Sequence, residues 1–573
     1  MEQNLTTTLL SCVFFMALVA WISYRKSRGD TQTGDGYFLA NRRLGAPIIA
    51  GSLLLTNLSA EQLIGLNGSA YGFNMSSMAW EVTAAVATVL MAFVFLPRYL
   101  AMAFTTLPEF LSRRFDHDVR RMTVVLFILG YGLVTIPSVL YSGSLAVMKL
   151  FAVPELLGIE SGLALHLMVV VIGLTGALYA VFGGLKAVAV SDTINGLGLL
   201  VVGVAIPLLG FAALGQGSVL AGIATVTQQE THKLNAIGGP SDPTPFATLF
   251  TGMVFANLFY WCANQYVIQR TLAARSLAEG QKGVLLSGFF KVLVPLLMML
   301  PGVIAYHLYG PSLSSIDLAY PQLVRDVLPS YAWGFFLAVL LGAVFSSFNS
   351  LLNSAATLFC LDVYQPLKGG GVADKDLVRT AKWVSAGIAL FSFLVAPLLQ
   401  YANDGLWQVI RIFTGFYNIP VIAVVVVGLF TRQVPALAAK AVIVLHVIAY
   451  GLLQFVFKEQ VSLHFLHLYA LLFAFEVLLM LLLGLWRPQH TSPEYFPAAG
   501  RIDLQPWPYA VPCAVTLISC VVALYLLFSP LGLVGGATVW LLPSLAVLLT
   551  VSLGCWGWQY RILRVRAAAG ATV

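Results

Sequence analysis

Apolar stretches long enough to cross a lipid bilayer recur about fifteen times along this chain, and nothing in it constrains the fold more. They run roughly over residues 5–24, 44–68, 77–97, 122–151, 162–181, 191–214, 245–268 and 283–308. The rest cover roughly 331–364, 381–401, 405–430, 437–457, 463–486, 506–528 and 537–558. In hydrocarbon every backbone polar group must be satisfied internally, so these stretches read as helices and the chain as an all-α polytopic membrane protein of about 14–15 spans. With 59% hydrophobic and 10% charged residues among 573, the connections are too short for a soluble domain. The 6 cysteines lie in apolar stretches without C-x-x-C spacing, which argues against a disulfide framework or a zinc site. No nucleotide-binding loop is present, so energy coupling falls to ions rather than ATP, and nothing points to nucleic acid.

Charge placement sets the topology. An odd span count puts the termini on opposite sides. With the N-terminus outside, the inner loops take about 25 of the 31 Lys and Arg residues, among them Arg25, Lys26, Arg42, Arg43, Arg114, Arg120, Arg270, Arg561, Arg564 and Arg566. The outer side keeps Lys149, Lys233, Arg325 and Lys458, while Lys291 and Arg411 fall inside spans. The excess of basic residues, net charge +7, therefore reads as topology rather than as attraction to an acidic partner. The first stretch lacks a basic leader and is followed by a basic cluster, so it reads as an uncleaved helix. The C-terminus is then cytoplasmic.

An ionisable side chain within a span costs at least about 3 kcal/mol unless it faces a partner or a polar cavity. Glu61, Glu81, Asp192, Lys291, Arg411 and Glu476 are such residues. Glu81 follows Trp80, which is either sugar chemistry, a carboxylate for hydroxyls beside an indole for the ring face, or an interfacial Trp with a snorkelling Glu. The stretch Leu55–Gln62 (LTNLSAEQ) interrupts the second span with small and polar residues, and Asn257–Gln265 (NLFYWCANQ) interrupts the seventh. Interrupted helices opening two sets of spans point to an inverted-repeat transporter with a midplane site, where freed carbonyls and hydroxyls suit Na⁺. Ser346 and Ser347 add adjacent hydroxyls, although serine in a membrane helix often serves packing alone. Glu476 has no evident role.

These stretches resemble the sodium–solute symporter family, in particular its sodium/galactose and sodium/glucose cotransporter branch. The resemblance rests on DGYFLA at Asp35–Ala40, NLSAEQLIG at Asn57–Gly65 and FGGLKAVAVSD at Phe182–Asp192. It continues through YW-x-x-NQY-x-x-QRTLAA at Tyr260–Ala274 and SSFNSLLNSAAT-x-F-x-x-D-x-Y at Ser346–Tyr364, covering roughly residues 35–430. It implies a LeuT-type five-helix inverted repeat with flanking helices, importing a monosaccharide with Na⁺ by alternating access. The implied divisions are a leading helix and basic loop (1–43), a first repeat (44–214), an extracellular loop (215–244), a second repeat (245–432) and additional helices (433–573).

Carried over position by position, the resemblance implies a sodium site at the carbonyls of Leu55, Leu58 and Ala343 and the hydroxyls of Ser346 and Ser347. Sugar contacts fall on Asn57, Gln62, Glu81, Asn257, Lys291 and the ring-side Trp261. Tyr260 is the implied inner gate, with Leu66, Trp80 and Trp407 as outer lids and Asp192 in sodium coupling. Three positions depart from the family pattern: Ala84 stands for a serine, Thr135 for an asparagine and Arg411 for a glutamine. An arginine there suits an acidic sugar, uronic or sulfated. Ala343 lacks the hydroxyl found where two ions bind, which favours one Na⁺. The expected setting is the cell membrane, a bacterial inner membrane, with lipid around the helices. Rival readings are a sodium-responsive sensor or channel on the same fold, which would tolerate losses in the sugar site, and a membrane enzyme using His464 and His467, whose spacing fits an interfacial pair better than a metal site.

Overall fold

The computed structural model describes residues 2–28, 33–369, 371–401, 406–461, 463–489, 502–536 and 538–568, and they are almost wholly helical. Among the described residues, twelve helices are long and apolar enough to cross a membrane, and the bent pair 46–57 and 62–72 makes up to 13. Two shorter apolar helices, Ser161–Ala177 and Gly252–Cys262, stand where two further spans are expected.

The helices that shape the site are α1 (Glu2–Ser27), α2 (Ala46–Asn57), α3 (Ala60–Gly72), α4 (Met78–Leu90) and α5 (Ser161–Leu214). They continue with α6 (Gly252–Cys262), α7 (Gln265–Leu272), α8 (Leu277–Val294), α9 (Trp333–Phe359) and α10 (Leu406–Phe430). Outside them stand α11 (Ala436–Gly451), α12 (Phe465–Trp486) and α13 (Leu541–Ala568). α2 packs between α5 and α8, α9 packs along α5, and α8 also lies against α4. α1 covers α5 and α9 from outside, and α10 leans on α11 and α12. The most buried wall is the span that contains α9, 89% buried, whereas α1 and the last helix are only 11% buried, as befits helices facing lipid.

Both interruptions read from the sequence are breaks in the backbone. Between α2 and α3 the chain bends by 57°. Leu58 (φ −87°, ψ 87°) and Ser59 (φ −92°, ψ 169°) leave the helical region. Thr56, Asn57 and Ser59 suit such a place because their side chains compete with the helix for backbone groups. α6 and α7 part at Ala263 (φ −132°) and Asn264 (ψ 118°), and Tyr99 Oη donates to the carbonyl freed at Cys262 at 2.7 Å. α5 holds the fifth and sixth expected spans in one run, kinked at Gly184, whose φ of 61° and ψ of 179° are open to glycine alone.

Basic residues read as loop charges do structural work at helix ends. Arg114 donates to Gly428 O at 3.1 Å and Thr431 O at 2.9 Å, closing the C-terminus of α10. Arg42 donates to Leu272 O at 3.0 Å, closing that of α7. Cations are favoured at helix C-termini, where carbonyls lack intrahelical partners. Arg270 departs from its expected place: its side chain is wholly buried within the protein rather than in an inner loop. A charge so deep persists only with partners, and those partners are part of the site below.

Candidate functional site

The two breaks and helices α4, α8, α9 and α10 enclose a central cavity of about 80 Å³. At about 10–15 Å³ per water position, it has room for a few waters or a small polar solute. Its wall holds Asn57, Gln62, Trp80, Glu81, Asn257, Tyr260, Lys291, Ser347 and Arg411, all singled out in the sequence. Ala84 and Thr135, two of the departures from the family pattern, line it as well.

At its centre, Lys291 Nζ donates to Glu81 Oε2 and Gln62 Nε2 donates to Glu81 Oε1 at 3.3 Å. Lys291 and Glu81 are 1% and 2% exposed, so each depends on the other for its charge. The Arg411 guanidinium lies 4.3 Å from the centroid of the Trp80 ring, a cation–π contact in the same wall. Asn57 Oδ1, Ser59 Oγ, Gln62 Oε1 and Asn418 Oδ1 are buried without a hydrogen-bond partner in the protein. Four acceptors left open around one cavity are an unusual concentration, because buried polar atoms are nearly always paired. They match a solute that carries several hydroxyl donors.

Aromatic rings cluster on one side of the cavity. Tyr260 meets Trp261 and Tyr266 edge to face, both with centroids 5.7 Å apart. Tyr131 donates to Asn264 Oδ1, and Thr135 Oγ1 lies 3.3 Å from Tyr417 Oη. Trp261 itself is buried behind Tyr260, outside the cavity wall, and Leu66 is likewise buried away from it. Residue 261 follows 260 by about 100° around α6, and that step turns Trp261 off the cavity side. The side chains of Glu61 and Trp407 lie outside the described residues.

The break beside α9 offers oxygen atoms. The Ser59 N–H bonds Asn57 O at 3.2 Å and the Gln62 N–H bonds Ser59 O at 3.1 Å. An unbroken helix would send those two donors to the Leu55 and Leu58 carbonyls. Ser347 Oγ lies 3.5 Å from Thr56 O. Ser346, one position back, turns toward α5 and Asp192. α9 is regular through Ala343, so that carbonyl keeps its place in the helix and has only its second lone pair to offer.

Asp192 is buried in a polar chain that the sequence did not disclose. Ser52 Oγ donates to Asp192 Oδ2 at 2.7 Å, and Arg270 Nη2 lies 3.9 Å from the same oxygen. Arg270 Nε donates to Ser52 Oγ at 3.1 Å, its Nη2 donates to Ser350, and Ser350 Oγ is 3.4 Å from Thr56 Oγ1. This chain joins α5, α2, α7 and α9 and ends one residue from the broken end of α2. Its signal in the sequence was Asp192, an ionisable residue inside a span, whereas Arg270 read as an inner-loop cation.

His464 and His467 form no metal centre. His467 Nδ1 lies 3.0 Å from Thr251 Oγ1, and His464 Nδ1 accepts the Leu466 N–H at 3.4 Å as an N-terminal cap. Among the described residues, no group of three or more His, Cys, Asp or Glu side chains could hold a metal.

Two broken helices around a buried, polar-lined cavity are the arrangement of a secondary transporter. The profile of the sodium:solute symporter family matches residues 37–445, and the chain belongs to that family. It is 44% identical over 534 residues to a protein of Escherichia coli K12 described as the uncharacterized symporter YidK, covering 93% of this chain and 92% of that one. It is 32% identical over 435 residues to a sodium/glucose cotransporter of Vibrio parahaemolyticus, covering 72% of this chain and 78% of that one. Among solved structures, a Na⁺-coupled sialic acid symporter in a substrate-bound, outward-open state superposes with a TM-score of 0.72 at 20% identity, covering 85% of this chain and 99% of that one. The fold is therefore the LeuT-type inverted repeat, and the protein is a multi-pass sodium-coupled solute symporter rather than an enzyme.

Proposed function

We propose that the protein imports a monosaccharide with Na⁺ by alternating access. The open acceptors on Asn57, Ser59, Gln62 and Asn418, next to the Glu81–Lys291 pair, are the observation that carries this reading. A pyranose supplies hydroxyls that donate to amide oxygens and accept from an ammonium, and an apolar face that packs on Trp80 or Tyr260. Asn257 completes the polar wall. Na⁺ binds the Leu55, Leu58 and Ala343 carbonyls and the Ser346 and Ser347 hydroxyls. Asp192 transmits its presence through Ser52, Arg270 and Ser350. Tyr260 gates the inner side, while Leu66, Trp80 and Trp407 close the outer. The setting is a bacterial cell membrane with surrounding lipid, N-terminus outside and C-terminus cytoplasmic, on the excess of basic residues in the inner loops. Uptake of labelled glucose, galactose and other hexoses into proteoliposomes, with and without a sodium gradient, tests the proposal. Gradient-dependent accumulation of at least one hexose supports it, and accumulation of none removes the sugar.

A second reading, an acidic sugar, is favoured by Arg411. Among the described residues of the cavity wall, Arg411 and Lys291 are basic and Glu81 alone is acidic. A uronic or sulfated sugar would balance that wall, and its anion would meet a planar guanidinium fork. A sodium-responsive sensor or channel on the same fold ranks third, because the sugar-site residues Gln62, Glu81, Asn257 and Lys291 are all retained.

A further inference from the structure

His446 on α11 and Glu476 on α12 lie outside the cavity and behind α10. Both are buried at 1% exposure, and His446 Nδ1 is hydrogen-bonded to Glu476 Oε1. The other ring nitrogen, Nε2, lies 3.0 Å from the Gly415 carbonyl on α10. A carbonyl has no proton to give, so Nε2 carries one and donates it. A bare Nδ1 lone pair would repel a carboxylate, so a second proton sits between Nδ1 and Oε1. Whichever atom holds it, the pair is neutral as a whole and stays so in a dry interior.

Two neighbours act on the same stretch of α10. Tyr469 Oη donates to Arg411 O at 2.6 Å, and Tyr450 Oη donates to Ile412 O at 2.9 Å. Gly415 makes the approach possible, since a Cβ there would meet Tyr469 Oη at 2.5 Å and Tyr450 Oη at 2.6 Å. Tyr450 stacks on the His446 ring with centroids 5.5 Å apart and planes at 19°, which ties the donors into one unit. Side chains of this stretch and the next turn, Arg411, Thr414, Tyr417 and Asn418, face the cavity.

We propose that His446, oriented by Glu476, and Tyr450 are positioning residues. With Tyr469 they strap the Arg411–Gly415 turn of α10 to α11 and α12, and so set the rotation at which α10 presents its polar face to the solute. This rests on the reading of the central cavity as the solute site. It gives Glu476 its role: the acid supplies the proton-sharing partner that keeps the His446 ring aimed at Gly415. α11 thereby sets solute affinity without touching the solute, whereas Tyr469 of α12 also lines the cavity.

The test is hydrogen–deuterium exchange of the protein in nanodiscs with Na⁺ and no sugar, together with hexose uptake. In His446→Phe and Glu476→Leu, amides of residues 410–419 should exchange at least about ten-fold faster, and in Tyr450→Phe by a smaller factor. Amides of α9 around Ser346 and Ser347 should keep their wild-type rates. Glu476→Gln should stay within about two-fold of wild type, because its amide N–H donates to Nδ1 while Nε2–H remains on Gly415. For the best-transported hexose of the panel, KM in His446→Phe should rise about ten-fold with little change in kcat or in half-saturation by Na⁺. Unchanged exchange over 410–419 in both His446→Phe and Tyr450→Phe overturns the proposal. So does loss of protection that extends equally through α9, or a Glu476→Gln as disruptive as Glu476→Leu. Exchange is read without sugar, so expected protection changes with no hexose transported would remove the sugar reading and leave the strap standing.

Discussion

Lys291 reaches across from α8 to hydrogen-bond Glu81 on α4, and the two charges face each other with almost no access to solvent. Such a pair contributes little net stability, because the cost of desolvating two ions offsets most of their attraction. It does make each charge dependent on the other. It also leaves each with spare hydrogen-bonding capacity on the cavity side, a carboxylate accepting and an ammonium donating.

Glu81→Ala and Lys291→Ala should each weaken solute binding by about 2 kcal/mol or more, since each truncation strands the partner in a dry site. Half-saturation by Na⁺ should change less. Wild-type KM for the transported solute in both variants would place the site elsewhere.

Ser347→Ala should abolish solute accumulation driven by a sodium gradient, because the hydroxyl lies where α9 meets the broken end of α2. Replacing sodium by choline should do the same to the wild type. Undiminished uptake in choline would remove Na⁺ as the coupling ion.

The stoichiometry should be one Na⁺ per solute. Asp192 has its charge balanced by Arg270 at 3.9 Å and a hydrogen bond from Ser52, and Ala343 adds no hydroxyl. Initial rates titrated with sodium should give a Hill coefficient near one, with reversal potentials to match. A reproducible value near two would show that a second ion enters.

Arg411→Gln separates neutral from acidic substrates. If the solute is acidic, uronic or sulfated sugars should compete with a transported hexose in the wild type and lose that advantage in the variant. If the solute is neutral, they should compete in neither, and hexose uptake should survive the substitution.

Gly415→Ala should lower stability by about 1–3 kcal/mol, the usual cost of forcing an added methyl into a packed contact. The Cβ would meet two tyrosine hydroxyls at 2.5 and 2.6 Å and push them off the Arg411 and Ile412 carbonyls. Thermal unfolding in detergent reads the shift, and an unchanged Tm would mean that α10 moves aside freely.

The breaks after Asn57 and before Asn264 were legible because runs of Thr, Asn and Ser, or of aromatic and amide residues, interrupt otherwise apolar periods. Glu81, Lys291 and Arg411 were legible because charge inside a span needs a reason. Partnership was not. Arg270 read as one more inner-loop cation, since nothing near it in the chain announces Asp192, Ser52 or Ser350. Glu476 had no account for the same reason, its partner His446 lying on another helix. Trp261 and Leu66 sit on the right helices but turn away from the cavity, a matter of rotation that a motif does not carry. Hydropathy records which segments leave water, while side-chain pairing is decided only when the helices meet.

The ion pair between α5 and α7 also bears on how the protein is made. Asp192 emerges from the ribosome before Arg270, and at roughly 5–20 residues per second its helix waits seconds for the counter-ion. Until then the carboxylate has hydroxyl neighbours on α2, Ser52 among them, but no counter-ion. Insertion and tertiary assembly are thus separate events, and the first half of the chain reaches its final energy only after the second half has been threaded. A nascent chain stopped between the two residues holds Asp192 without its counter-ion.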